Sequence, residues 1–119
     1  MRILVVDDSL ARRAFLQEFL VSLGHFAWTV DHGPPALLGV ERGAVDAILL
    51  TQTISGLGGF ELLSHARRRG FRGPAILLCI DRQPLQISSG WGPLALFAYP
   101  IRLGDLAAAL QRLAPSAPV

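Results

Sequence analysis

The chain has no lysine, because all of its basic side chains other than histidine are arginines. It has one cysteine, Cys79, which excludes an internal disulfide and fits a reducing compartment. No apolar run approaches the roughly 20 residues that a membrane-spanning helix needs. The N-terminal residues begin an aliphatic strand at Arg2 and do not have the pattern of a secretory leader. We therefore expect a cytoplasmic protein that does not act at a membrane.

Size and charge predict one domain with a substantial core. The chain has 119 residues, 51% of them hydrophobic, and we expect a domain over residues 1–113 followed by a linker-like or frayed tail at 114–119. The net charge of +2 implies no general polyanion-binding surface, and no helix-turn-helix pattern is present, so we expect no nucleic-acid partner. Arginines cluster at 67–69 and at Arg72. We interpret them as favourable charges at a helix end, with an acidic or phosphate-bearing partner as the alternative.

Short apolar runs alternate with segments of helical periodicity along the chain. The runs predict strands at 3–6, 26–30, 47–50, 75–80 and 94–98. Helical segments follow four of them, whereas residues 83–93 contain two prolines and two glycines, so a fourth helix there is expected to be short or irregular. The pattern predicts an α/β fold of five βα units: a doubly wound, five-stranded parallel sheet of the flavodoxin-like kind, with strand order 2-1-3-4-5. In such a sheet ligands bind at the carboxyl ends of strands 1 and 3, where Asp7, Asp8 and Thr51 lie.

Two segments resemble the receiver domain of bacterial response regulators. They are Val5-Val-Asp7-Asp8-Ser9 near the N-terminus and the block from Asp46 to Leu63, and the resemblance extends over most of the chain, from Ile3 to about Leu113. In that family the third strand ends in an aspartate that accepts a phosphoryl group. At that position this chain has Thr51, so the resemblance indicates an atypical receiver that lacks the phosphoacceptor.

The resemblance also assigns the other positions of the phosphorylation pocket. Asp7 and Asp8 match the acidic pair that holds Mg²⁺, Cys79 occupies the position of a hydroxyl residue, and Tyr99 occupies that of a phosphate-binding lysine. Without a carboxylate at Thr51 we expect at most weak Mg²⁺ binding by Asp7 and Asp8, and no other cofactor. The alternative for this pair is an electrostatic anchor at the start of the first helix.

Thr51 is expected to be chemically inert. Its hydroxyl has a pKa far above 7, and the sequence indicates no base beside it, so it does not replace a carboxylate as phosphoryl acceptor. We expect it to hydrogen-bond near the Asp pair, and Cys79 to be a small buried hydrophobic residue.

These features predict a pseudo-receiver, meaning a receiver-like regulatory module in bacterial signal transduction that works without aspartyl phosphorylation and is not an enzyme. Its partner would be another protein, a second copy or an output domain beyond Val119, which contacts the face of the fourth helix, the fifth strand and the final helix through Trp91, Leu96 and Tyr99. One alternative is a small-ligand or cation sensor that uses the crevice at Asp7, Asp8 and Thr51, together with Thr53 and Ser55. A second alternative is residual phosphotransfer to Thr51.

Overall fold

A computed structural model describes residues 1–51, 59–79, 94–98 and 101–113 of the chain. In these ranges five strands and four helices follow one another: β1 Arg2–Val6, α1 Leu10–Ser22, β2 Phe26–Val30, α2 Gly33–Glu41, β3 Ala47–Thr51, α3 Gly59–Arg68, β4 Ala75–Cys79, β5 Leu94–Ala98 and α4 Leu103–Leu113. The helix α4 is the final helix predicted from the sequence. The predicted helix within 83–93, the tail 114–119, Trp91 and Tyr99 lie outside the described residues.

All five strands are parallel and form one sheet in the order β2-β1-β3-β4-β5, which confirms the predicted topology. β1 lies between β2 and the central strand β3, and Val6 pairs with Leu50. Because the register is parallel, the next residues along the two strands, Asp7 and Thr51, meet at the carboxyl edge of the sheet.

Both faces of the sheet are covered by helices, and the alternation of side chains along each strand divides the core in two. On one face, residues such as Val6, Leu50 and Leu77 pack against α2 and α3. On the other, Val5, Leu49 and Leu78 pack against α1 and α4. The continuous aliphatic runs of β1, β3 and β4 are therefore explained by burial on both faces.

The ends of the helices follow local rules that the sequence displays. Ser9 caps α1, with its hydroxyl accepting a hydrogen bond from the Arg12 amide at 3.3 Å. Gly24, just after α1, has φ of 91°, a left-handed conformation that favours glycine. Prolines open α2, where their missing amide hydrogens are not needed.

Candidate functional site

Two polar side chains are buried at the carboxyl edge of the sheet. Asp7 follows β1, Thr51 ends β3, and both have 0% exposure; they are the buried polar residues among those described. A buried carboxylate is stable only when charges and hydrogen bonds replace its lost hydration. The environment of Asp7 is therefore the centre of this site.

The Asp7 carboxylate accepts hydrogen bonds from three elements of the fold. The Thr51 hydroxyl donates to Asp7 Oδ2 at 2.6 Å, and the Ser9 amide donates to Asp7 Oδ1 at 2.8 Å. The Arg12 guanidinium donates through Nε to Oδ2 at 2.8 Å and through Nη2 to Oδ1 at 3.0 Å. Each carboxylate oxygen thus accepts two hydrogen bonds, which is close to its full capacity.

These contacts set the charge state of Asp7. Burial by itself would raise the pKa of the carboxyl group, but the hydrogen bonds from Arg12, Thr51 and the Ser9 amide, with the charge of Arg12, outweigh it and hold the pKa below its usual value. Asp7 is therefore ionised at neutral pH and has little tendency to take up a proton.

The predicted hydrogen bond between Thr51 and the Asp pair is confirmed by this geometry. The expectation that no base lies beside Thr51 is wrong, because a carboxylate contacts its hydroxyl directly. Asp7 is nevertheless a poor base, since its lowered pKa and filled acceptor positions oppose proton uptake.

Asp8 and Cys79 border the buried pair. The Asp8 side chain is partly exposed, and Asp8 Oδ1 lies 3.4 Å from Arg12 Nη2, so one guanidinium bridges both carboxylates. Cys79 ends β4 at the same edge of the sheet, one residue after Leu78, which pairs with Thr51. It is buried in the core that faces α2 and α3, and burial raises the pKa of its thiol, as expected for a small hydrophobic residue.

The donor set does not fit the Mg²⁺ that the fold family implies. Mg²⁺ requires hard oxygen ligands in octahedral geometry, whereas both oxygens of Asp7 are occupied by hydrogen-bond donors. Among the described residues, no three His, Cys, Asp or Glu side chains converge on a point where a metal could bind. A cation could reach Asp7 only by displacing the Arg12 guanidinium.

Arg12 is the residue at this site that sequence reasoning missed. The helical periodicity placed it on a face of α1 away from the core, where an arginine is usually solvated. Its spacing from Ser9, three residues beyond the N-cap, was the signal that could have found it. A long side chain in the first turn of a helix can reach back over the residues before the cap, and here those residues are the two aspartates.

Of the three residues predicted for an interaction face, only Leu96 is described. Leu96 lies in the edge strand β5, pairs with Leu77 and is half-buried against the core that faces α2 and α3. The contacts of Leu96 are therefore largely internal. The contribution of Trp91 and Tyr99 to an interaction face stays a prediction.

The arginine cluster lies at the C-terminal end of α3 and is largely used within the chain. Arg67 donates to the carbonyl oxygens of Phe71 at 3.1 Å and Gly73 at 2.6 Å, and Arg72 donates to the Arg67 carbonyl at 2.9 Å. Arg69 forms an ion pair with Glu41 at the end of α2. These contacts explain the cluster as a cap on α3 and favour the structural interpretation over a partner-binding site.

Comparison with solved structures gives close matches over the full described fold. A response regulator receiver domain protein from Bacillus halodurans superimposes with a TM-score of 0.84, covering 98% of this chain and 98% of that one at 21% sequence identity. A CheY-like receiver domain from Methylobacillus flagellatus also gives 0.84, with coverage of 96% and 98% at 20% identity. The chain has the CheY-like receiver fold. The predicted flavodoxin-like architecture is thereby confirmed.

Sequence comparison points in the same direction. The receiver-like chain is 31% identical over 120 residues to the transcriptional regulatory protein TcrA of Mycobacterium tuberculosis, a match that covers 99% of this chain and 47% of TcrA. The chain thus spans about half the length of that relative. No protein-family model matches the chain. Together, the fold and the sequence similarities strongly support a response-regulator receiver domain of two-component signalling.

The comparisons also bear on the expectation about activity. Receiver domains generally act as signalling modules through partner proteins and output domains, and not as enzymes. Within the described ranges of the chain, no helix is both long and apolar enough to cross a bilayer.

Proposed function

We propose that this receiver domain is a pseudo-receiver: a cytoplasmic regulatory module of bacterial signal transduction that works through protein contacts and without aspartyl phosphorylation. The observation that carries the proposal is the direct contact between Thr51 and Asp7. A hydroxyl group stands at the end of β3, where the family places a carboxylate, and that hydroxyl is committed to a 2.6 Å hydrogen bond.

The chemistry of a buried threonine supports this proposal. Phosphoryl transfer to Thr51 would need removal of its hydroxyl proton, and the group that accepts its hydrogen bond, Asp7, is a weak base. Thr51 is also fully buried, so a phosphodonor reaches its oxygen only after the residues that cover it move. Any threonine ester formed would be stable, unlike the labile acyl phosphate that makes a receiver reversible.

Charge balance in the pocket is a second support. A phosphorylated receiver gathers several negative oxygens, which a lysine and Mg²⁺ neutralise in the family. This chain has no lysine, and its pocket arginine, Arg12, is already paired with Asp7 and Asp8. The charge of Arg12 is therefore already engaged by two carboxylates and is not available to a phosphoryl group.

We infer that regulation occurs instead by contact with another protein, a second copy or an output domain. The candidate face is the edge of the sheet at β5 with α4, and Trp91 and Tyr99 are its predicted anchors. The small-ligand alternative is less favoured, because the acceptor positions of Asp7 are filled from within the chain.

Intact-mass analysis after incubation with acetyl phosphate and Mg²⁺ tests independence from phosphorylation. We expect no added mass, whereas a phosphoryl group would add about 80 Da. The Thr51→Val variant is the matched control, since it removes the hydroxyl and keeps the shape. An adduct on the wild-type protein that is absent from Thr51→Val would contradict the proposal and establish Thr51 as a phosphorylation site.

Sedimentation velocity tests the proposed face in the case of self-association. Trp91→Ala should lower the fraction of dimer, whereas Trp28→Ala should leave it unchanged, because Trp28 is a partly exposed tryptophan on the opposite edge strand, β2. Equal effects of the two variants would contradict the assignment of the face. If the wild-type protein is monomeric, the same pair of variants is compared for binding to an output domain supplied in trans.

A further inference from the structure

Arg12 reaches from α1 back over the acidic pair. Its amide is bonded to the Ser9 cap at 3.3 Å, which fixes the start of the side chain in the first turn of the helix. Its guanidinium then contacts both oxygens of Asp7, at 2.8 and 3.0 Å, and approaches Asp8 at 3.4 Å. A single planar cation thus spans two carboxylates, as a divalent cation would.

The geometry leaves little room for any other cation at Asp7. Arg12 donates one hydrogen bond to each carboxylate oxygen, and Thr51 and the Ser9 amide fill the remaining positions. This two-pronged arrangement is the one for which a guanidinium fits a carboxylate best. Because an arginine stays protonated at any physiological pH, its charge is a permanent part of the site.

A second arginine adds to the positive charge nearby. Arg13 Nη1 donates to the backbone carbonyl oxygen of Asp7 at 2.9 Å. The positive charge of Arg13 therefore lies beside the backbone of Asp7 and adds to that of Arg12, which contacts both carboxylates. The attraction that an isolated acidic pair exerts on a divalent cation is thereby reduced.

We propose that Arg12 is a built-in counter-ion that takes the place of a divalent cation at Asp7 and Asp8, so that the native pocket excludes Mg²⁺ and loss of Arg12 opens a cation site. The inference goes beyond the proposed function, because it concerns what neutralises the acidic pair, whichever partner the domain binds. A phosphoryl adduct on Thr51 would contradict the proposed function and would not by itself change the outcome expected here.

The test is a titration of ¹⁵N-labelled protein with MgCl₂, followed through the amide signals of Asp8, Ser9 and Thr51. The wild-type protein should show no saturable shift at millimolar Mg²⁺. The Arg12→Gln variant should show a saturable shift at these amides, and its melting temperature should rise with Mg²⁺ concentration, because a ligand that binds the folded state stabilises it.

The chain offers a matched control at the other end of the sheet. Arg2 makes the same kind of two-pronged contact with Asp46, with Nε and Nη2 at 3.1 and 3.0 Å from the two oxygens, but there the carboxylate is partly exposed. Arg2→Gln should therefore gain no Mg²⁺ response. If Arg2→Gln and Arg12→Gln respond equally, the effect comes from loss of positive charge in general, and the proposal is overturned.

If Arg12→Gln fails to fold, the proposal is tested by NMR on the wild-type protein. The Nε–H signal of the Arg12 side chain should persist unchanged as Mg²⁺ is added, because the guanidinium stays on Asp7. A saturable shift or loss of that signal would show that Mg²⁺ displaces Arg12 and would overturn the proposal. A folded Arg12→Gln variant without any Mg²⁺ response would overturn it as well.

Discussion

The Thr51 hydroxyl donates a 2.6 Å hydrogen bond to the Asp7 carboxylate, and neither side chain is exposed to solvent. The contact joins the carboxyl ends of β1 and β3, two neighbouring interior strands of the sheet. It makes Thr51 part of the hydrogen-bonded shell that keeps a buried charge in the fold. Thr51 thus has a structural role of its own.

Replacement of Thr51 by valine tests this role. Valine keeps the shape of threonine and removes the hydroxyl, so Asp7 loses one of the donors that stabilise its charge. Hydrogen bonds to charged groups contribute about 1.5–3 kcal/mol, and we expect the free energy of unfolding in urea at neutral pH to fall by about 2 kcal/mol. Thr51→Ser keeps the hydroxyl, so its free energy of unfolding should fall by less than that of Thr51→Val. A Thr51→Val variant as stable as the wild type would contradict the account.

Stability should decline in acid because of Asp7. The pKa of Asp7 is lowered in the folded protein, whereas in the unfolded chain it is expected at about 3.9. Its contribution to stability is therefore present above the unfolded value and is lost as the pH falls through the folded value. The free energy of unfolding, measured in urea from neutral to acidic pH, should fall less steeply below about pH 4 in Asp7→Asn than in the wild type.

Asp46 complicates the same pH range and provides a control. The hydrogen bonds from the Arg2 side chain and amide lower the pKa of Asp46 to about 2, but Asp46 is partly exposed. Its contribution should therefore weaken in high salt, whereas that of the buried Asp7 should persist. If Asp7→Asn leaves the pH dependence of the free energy of unfolding unchanged at both low and high salt, Asp7 is not the group that causes the loss of stability in acid.

Gly73 should tolerate no side chain. A Cβ atom there would clash with the Asp46 carbonyl oxygen and lie 2.8 Å from Phe71 Cζ, and the backbone is held by the Arg67 hydrogen bond to the Gly73 carbonyl. Overpacking of this kind costs about 1–3 kcal/mol, and we expect Gly73→Ala to lower the free energy of unfolding by at least that amount.

Gly39 supplies the matched comparison for Gly73. It lies within α2, and an added Cβ would meet only Val45 Cγ2, at an ordinary 3.9 Å. Alanine is favoured over glycine in a helix interior by about 1 kcal/mol, so Gly39→Ala should stabilise the protein. Both variants are measured by urea denaturation. If Gly73→Ala and Gly39→Ala lower the free energy of unfolding by similar amounts, the close approach at Gly73 is not the cause of the destabilisation.

The sequence predicted the sheet well because its signals are local. The aliphatic runs that became β1, β3 and β4 are buried on both faces, and glycines such as Gly24 mark the helix ends. The strand order followed from the alternation of strands and helices, which permits few parallel topologies. It also placed Asp7 and Thr51 at the same edge of the sheet.

The partners of Asp7 were predicted only in part, because they depend on side-chain direction in three dimensions. The Thr51 contact followed from strand adjacency, but the Arg12 contact depends on how one long side chain turns at the start of α1. Periodicity assigns a residue to a helix face and does not show that a first-turn arginine reaches back over the cap. Burial of Asp7 supplies the physical reason, since a carboxylate at 0% exposure requires a compensating charge.

Independence from phosphorylation is tested most directly by the response of the pocket to beryllofluoride, which stands in for an aspartyl phosphoryl group. ¹⁵N-labelled protein is titrated with beryllofluoride in the presence of Mg²⁺, and the amide signals of Ser9 and Thr51 are followed. These signals should not move, because Thr51 offers no carboxylate and Arg12 is hydrogen-bonded to Asp7. A saturable shift centred on Asp7, Asp8 and Thr51 would show that the pocket still responds to a phosphoryl group, and would contradict the proposal that the domain works without aspartyl phosphorylation.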